Sequence, residues 1–376
     1  MKYRRLGKTG ENVSILGFGC MRFPVKEDGK IERKESAEMI NYAIENGVNY
    51  FDTAYPYHHE ESEPFLGEIL NNGLRNKIFL ATKYPSWLTK KYDDFYYYFE
   101  EQLKRLKTDH FDFYLIHAIN KGFWKNLKEN GLIKFLQNLK EDKRVKHIGF
   151  SFHDDLELYK EVVDSFDWEF SQIMYNYYDT NFQAGQEGLK YAHDKGMGIV
   201  IMEPLRGGKL VNNVPNDIKD VWNKAENKRT PVEWALKWLW NDPRISLVLS
   251  GMSSMEQLKE NIEIANEAEV NELSNEELNI INKVKVMYES KIQVPCTDCK
   301  YCMPCPSGVN IPVCFSQYNN AFIFNDKEGA KEAYTQFIKD ENKAFNCIQC
   351  RICEEKCPQH IVISEELKKV VHLFGK

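Results

Sequence analysis

Cys347-Ile348-Gln349-Cys350-Arg351-Ile352-Cys353-Glu354-Glu355-Lys356-Cys357-Pro358 is the stretch on which this chain divides. Its spacing is C-x2-C-x2-C-x3-C-P, the ligand run of bacterial iron–sulfur sites. A second run precedes it, Cys296-Thr297-Asp298-Cys299-Lys300-Tyr301-Cys302-Met303-Pro304-Cys305-Pro306. A cubic cluster needs four converging thiolates. Two-residue spacings let three of them curl around one face, and the fourth comes from elsewhere in the chain. Two runs therefore predict two [4Fe–4S] clusters.

In proteins that hold two clusters, the cysteine before the proline ligates the other cluster. This assigns Cys296, Cys299, Cys302 and Cys357 to one cluster, and Cys347, Cys350, Cys353 and Cys305 to the other. An internal repeat supports the pairing: Cys305-Pro306-Ser307-Gly308-Val309-Asn310-Ile311 echoes Cys357-Pro358-Gln359-His360-Ile361-Val362-Ile363. The first run has two residues before its last cysteine where the second has three, so Cys314 stands as a substitute for Cys305. The repeat sets Glu366 opposite Cys314 and demands no ligand there. The expected role of Cys314 is a small buried thiol. Zinc ribbons use separated C-x2-C pairs rather than triplets. Disulfides need an oxidising compartment, and no signal peptide opens this chain.

Nine of the ten cysteines follow residue 295, a composition step that marks a domain boundary. The 376 residues suffice for a large core with an appendage. Charged residues make up 28% and hydrophobic ones 43%, the balance of a globular protein. A net charge of −6 without a basic patch gives no sign of a nucleic-acid partner. No apolar run reaches the length of a membrane span. Oxygen-labile clusters fit a reduced cytoplasm, in an anaerobe.

Before the cysteines, strand-like and helix-like stretches alternate. Residues 1–14 read as a hairpin with a glycine turn. Strands are expected at 15–20, 50–54, 78–83, 111–118, 147–152, 170–175, 198–204 and 246–252. Helical patterns at 33–46, 92–106 and 231–240 lie between them, the last opening with proline in its first turn. Eight strands, each followed by a helix or a helix-sized gap, predict a parallel (β/α)8 TIM barrel with an N-terminal hairpin. The barrel is expected over 1–272, a connecting helix within 273–294, and a small helical dicluster ferredoxin-like module over 295–376. A further helix is expected near 329–339, between the two runs.

Catalytic groups of such barrels sit at the C-terminal ends of strands. Asp52, Lys83 and His117 end or interrupt three consecutive apolar strands, and Tyr55 and Tyr57 follow Asp52. The stretch Phe51-Asp52-Thr53-Ala54-Tyr55-Pro56-Tyr57, then Glu61-Ser62-Glu63 with Leu66-Gly67, Ala81-Thr82-Lys83 and Tyr114-Leu115-Ile116-His117 resemble the aldo-keto reductases. So do Leu6-Gly7-Lys8-Thr9-Gly10, Gly17-Phe18-Gly19, Gly149-Phe150-Ser151 and Glu203-Pro204-Leu205. The likeness runs through about residues 1–270.

The resemblance implies an oxidoreductase that reduces a carbonyl or oxidises an alcohol, with Tyr57 as general acid. Lys83 would lower the phenol's pKa, Asp52 would hold Lys83, and His117 would orient the substrate carbonyl. An isolated buried Asp–Lys pair is often only a satisfied ion pair. Four such residues at the family's spacing favour chemistry. The resemblance also implies NAD(P)H, with Ser151 and Gln172 at the nicotinamide amide.

Two departures bear on the cofactor. Met202 stands where an aromatic residue usually stacks on nicotinamide, and Phe152-His153 stands for the usual asparagine. In the segment 250–261, Glu260 and Asn261 are kept, but Gly251 and Gln257 replace the basic clamp for a 2′-phosphate. The turn Pro204-Leu205-Arg206-Gly207-Gly208-Lys209 has glycines that let backbone amides approach a phosphate, with Leu205, Arg206, Gly207 and Gly208 as contacts. That turn would equally serve the phosphate of FMN.

A hydride carries two electrons at once, whereas a cluster passes one. The leading expectation is a carbonyl oxidoreductase whose clusters relay electrons, exchanging them with a ferredoxin or another redox protein. The alternatives are a flavin-containing, ferredoxin-linked reductase and an electron-transfer protein that keeps the barrel as a docking scaffold. Clusters with a purely structural or oxygen-sensing role are a further reading.

Overall fold

The computed structural model describes residues 1–375. The expected hairpin forms from β1 (Tyr3–Arg5) and β2 (Asn12–Ser14), paired antiparallel with Tyr3 opposite Ser14. Eight strands follow: β3 (Leu16–Gly19), β4 (Tyr50–Asp52), β5 (Phe79–Tyr84), β6 (Phe111–Ile119), β7 (Val145–Phe152), β8 (Phe170–Met174), β9 (Gly198–Met202) and β10 (Leu247–Ser250). They close into a parallel barrel in the order β10-β3-β4-β5-β6-β7-β8-β9. Each expected strand is present. β4, β9 and β10 each stop two residues short, β9 because Glu203 turns into the left-handed region, at a φ of 56°.

These strands are apolar on both faces because both faces are covered. The barrel interior is packed by Leu6, Val13, Tyr50, Ala81, Phe113, Leu115, Phe170, Val200, Leu247 and Leu249. Phe113 meets Tyr50 and Phe170 with ring centroids 5.2 and 5.3 Å apart. Gly17 and Gly149 make room for this filling. A Cβ on Gly17 would come within 2.7 Å of Leu249, and one on Gly149 within 2.6 Å of Phe170. The hairpin turn closes the N-terminal end, where Leu6 is fully buried and the Lys8 amide donates to the Gly196 carbonyl.

The outer helices stop where their caps dictate. Helix Pro231–Trp240 begins at Thr230, whose hydroxyl accepts from the Glu233 amide, with proline in the first turn. Helix Arg33–Glu45 and helix Asp93–Arg105 match the expected patterns to within a residue. No helix among the described residues is long and apolar enough to cross a membrane.

By its contacts the chain forms two compact units. The barrel unit comprises 1–207 and 230–274. The second unit comprises 208–229 and 275 onward. The excursion 208–229 is held within the second unit by polar contacts. Lys291 reaches Asp217 at 2.7 Å, Asn227 donates to Glu277 at 2.9 Å, and Arg229 pairs with Glu277.

The second unit is helical, as expected, with helices Asn275–Glu289, Ile311–Ile323, Lys327–Phe337 and Ile363–Phe374 around a core of Val294, Ile311, Phe315, Tyr334, Leu367 and Val370. The Asn319 side chain accepts from the Val294 amide and donates to its carbonyl, which fixes the entry to the first cysteine run. The sequence repeat is also a backbone repeat. Gly308 and His360 both have positive φ, and their amides donate to the Cys305 and Cys357 carbonyls at 3.0 Å each. Ile311 and Ile363 then open helices.

Candidate active site

Asp52 ends β4, Lys83 lies near the end of β5, and His117 lies in β6, so three neighbouring strands aim them at one mouth. Lys83 is fully buried, and its Nζ donates to Asp52 Oδ1 at 2.5 Å, to the Thr53 carbonyl at 2.8 Å and to Tyr57 Oη at 3.3 Å. The Tyr57 and His117 rings meet edge-on, with centroids 5.9 Å apart. Tyr55 has no such contact with Lys83. Its ring lies under Arg105 at 4.2 Å and edge-on to Tyr98.

The electrostatics follow from burial and this pairing. Burial opposes the charge on Lys83, yet Asp52 and Tyr57 together hold its pKa above the usual lysine value. Burial raises the Asp52 carboxyl, which Lys83 offsets only in part. Tyr57 departs from the sequence expectation in its net direction. Lys83 does pull the phenol down, but burial pushes it up by more, so the group stays protonated at neutral pH. His117 is held well below the usual histidine range by burial, then by Lys83 and His153, so its ring is neutral.

A layer behind these residues was not legible in the sequence. Glu63 is fully buried and accepts from Thr82 Oγ1 and Gln102 Nε2 at 2.6 Å each. Gln102 also donates to the Lys83 carbonyl at 3.0 Å. Arg105 lies 2.8 Å from Glu63 and donates to the carbonyls of Tyr55 and Glu60. It thereby clamps both ends of the loop that carries Tyr57. Glu63 falls in a quoted motif, but nothing in the spacing of Gln102 and Arg105 marks them.

The candidate cofactor residues fall into two groups. Ser151 Oγ accepts from the Ala118 amide at 2.7 Å, and Gln172 Nε2 lies 3.5 Å from the Met202 sulfur. Gln172 Oε1 is buried without a hydrogen-bond partner among the described residues, an acceptor placed to receive an amide donor. Gly207 and Gly208 have positive φ, as a phosphate-cradling turn requires. Arg206, next to them, is drawn to Asp179 at 3.4 Å and lies over Tyr178. Leu205 packs against the barrel's outer core.

In the last segment the polar groups are engaged locally. Gln257 accepts from the Ser253 amide, Glu260 from Thr230, and Asn261 donates to Ser250. Gly251 is covered by a residue the sequence reading passed over. The Arg22 stem lies 3.1 Å from where a Gly251 Cβ would be, and its guanidinium 3.4 Å from where a Gly207 Cβ would be. Arg22 thus lies across both glycine turns.

In the second unit, Cys296, Cys299, Cys302 and Cys357 line one pocket with Ile311, Phe315 and Ile361. Burial pushes the Cys302 thiol up to about 11, with Cys296, Cys299 and Cys357 adding to it. Burial likewise pushes Cys353 up to about 11, with Cys347 and Cys305 among its neighbours. Cys350 is exposed. In both runs the residue before and the residue after the middle cysteine are left-handed: Asp298 and Lys300, Gln349 and Arg351. Such alternation turns backbone N–H groups inward toward an anion. Cys314 is buried, its thiol donates to the Asn342 carbonyl, and burial pushes it up to about 12. Among the described residues no three ligating side chains converge tightly enough to grip a single metal ion. A four-iron cubane holds its thiolates farther apart.

Comparison with known proteins bears on both units. Residues 15–285 match the aldo/keto reductase family, and residues 295–362 match the 4Fe-4S dicluster domain. The uncharacterized oxidoreductase YqkF of Bacillus subtilis is 27% identical over 296 residues, covering 71% of this chain and 92% of that protein. The L-galactose dehydrogenase of Arabidopsis thaliana is 28% identical, covering 72% of this chain and 89% of that one. The holo structure of aldo-keto reductase AKR11C1 from Bacillus halodurans superposes with a TM-score of 0.64 at 25% identity, covering 76% of this chain and 96% of that chain. The chain belongs to the aldo/keto reductase family and is an oxidoreductase that carries a 4Fe-4S dicluster domain after its barrel.

Proposed function

We propose that the barrel reduces a carbonyl compound, or oxidises the matching alcohol, at Tyr57. The observation that carries this reading is Lys83, buried and bridging Asp52 and Tyr57. Tyr57 gives its phenolic proton to the carbonyl oxygen as that oxygen gains charge. Lys83 stabilises the phenolate left behind, and Asp52 fixes Lys83 in place. Neutral His117 offers a ring N–H to the same oxygen, orienting it without adding a second acid.

Nicotinamide fits the residues at this mouth, and when bound it supplies the hydride. Gln172 and Ser151 would hold its carboxamide, the Gly207 turn its phosphates, and Arg22 a positive charge between them. The 2′-phosphate clamp remains absent, which favours NADH. FMN is the second reading, because a flavin joins two-electron chemistry to one-electron clusters.

The eight cysteines of the two runs would hold two [4Fe–4S] clusters, Cys296, Cys299, Cys302 and Cys357 on one and Cys347, Cys350, Cys353 and Cys305 on the other. These would relay single electrons to a redox partner in a reducing cytoplasm. Denaturing anaerobically purified protein tests the assignment. About eight irons per chain and no flavin is the expected result. Released FMN would replace the nicotinamide reading, and fewer than about four irons would end the two-cluster reading.

A further inference from the structure

The two cysteine runs share a backbone but differ in what they show to solvent. In the first, Cys299 is exposed beside Tyr301 at 66%, and the neighbouring charges answer each other: Lys300 lies 4.0 Å from Asp298. In the second, Cys350 is exposed, Ile348 is 67% and Ile352 45% exposed, and Arg351 stands exposed beside them. Arg351 donates no hydrogen bond and forms no ion pair among the described residues. The following carboxylate, Glu354, feels its charge but makes no ion pair with it. That side chain is committed to the Ser364 amide at 2.8 Å and hydroxyl at 2.6 Å. No acidic residue lies between Cys347 and Cys353.

Two exposed isoleucines cost solubility, and an exposed arginine between them that is held in no ion pair attracts anions. A cluster passes electrons fastest where its thiolate is least covered. Apolar contact around one cation at such an edge is the chemistry of a short-lived protein complex with an acidic partner.

We propose that the edge formed by Ile348, Cys350, Arg351 and Ile352 is the docking face for a small acidic one-electron carrier protein. The inference rests on the cluster assignment above and names the partner's charge and its landing site. In the inward direction the reduced carrier loses one electron and the cluster beside Cys350 gains it. No bond forms or breaks and no proton moves.

The test uses anaerobic full-length protein with iron and sulfide counted. Stopped-flow mixing follows visible bleaching of the clusters by a reduced acidic bacterial ferredoxin and, separately, by dithionite, which needs no docking face. Arg351→Glu should slow the ferredoxin reaction about tenfold at low salt and flatten its salt dependence. Ile348→Ser with Ile352→Ser should slow it at every salt concentration. Both variants should keep wild-type iron and dithionite rates. Unchanged ferredoxin rates in both would overturn the proposal. So would sedimentation showing that these substitutions break a dimer while carrier rates hold, since the face would then belong to a second copy of this chain. Wild-type iron far below about eight per chain would instead bring down the cluster assignment, and this proposal with it.

Discussion

The barrel mouth and the cysteine module place their reactive groups in opposite electrical settings. At the mouth the buried charges are answered by other parts of the chain: Lys83 by Asp52, Arg105 by Glu63. In the module, thiols crowd one another and are pushed toward neutrality by burial, and the neighbouring thiols raise them further. The first arrangement is complete as a folded protein. The second needs an external cation to make its groups compatible, because thiolates brought together repel until iron neutralises them. The barrel is therefore expected to preorganise its chemistry, and the module to acquire its order along with its metal.

The largest effect that could break this contrast is metal removal. Chelation should unfold much of the second unit while the barrel keeps its cooperative transition, as read by two separate steps in thermal denaturation. A single transition unmoved by chelator would show that the module is as complete as the barrel. Cys353→Ser should lose about four irons and leave the other cluster's spectrum in place.

Next come the groups at the mouth. Tyr57→Phe should lower kcat about 10²–10⁴-fold with little change in melting temperature, since it removes the acid and leaves the ring. Lys83→Met should lower kcat comparably and also destabilise the fold by about 3–5 kcal/mol, because Asp52 is left charged and buried without a partner. Retention of full stability in Lys83→Met would show that Asp52 takes up a proton once its partner is gone. Arg105→Met should cost less in rate than either, while loosening the 55–60 loop, visible as faster amide exchange there.

The smallest effect is in pH. Tyr57 is raised, so it stays protonated through neutral pH, and carbonyl reduction should decline only above about pH 10. His117 is lowered, so the unfolded chain binds a proton that the folded one refuses. Its contribution to stability is present above about pH 6.5 and is lost as pH falls toward the folded value. His117→Gln should flatten the stability profile on that acidic side.

The eight strands, the hairpin and the spacing of both cysteine runs were legible because each is a local pattern: apolar runs broken by turn residues, or ligands two and three positions apart. The candidate group of Asp52, Lys83 and His117 with Tyr57 was legible as residue types at strand ends and in the loop after the first of them. Its net electrostatics was not, because the rise in Tyr57 comes from burial, a property of everything packed around it.

Sequence alone determined which residues were available for chemistry and that the chain has two kinds of them. The tertiary structure decided which met. It set Lys83 on Tyr57 rather than Tyr55, brought Cys357 to a run some sixty residues earlier, laid Arg22 over glycines almost two hundred and more residues away, and gave 208–229 to the second unit. These meetings depend on closing the barrel and on packing helices against one another. Such long-range contacts carry no period in the sequence from which they can be read.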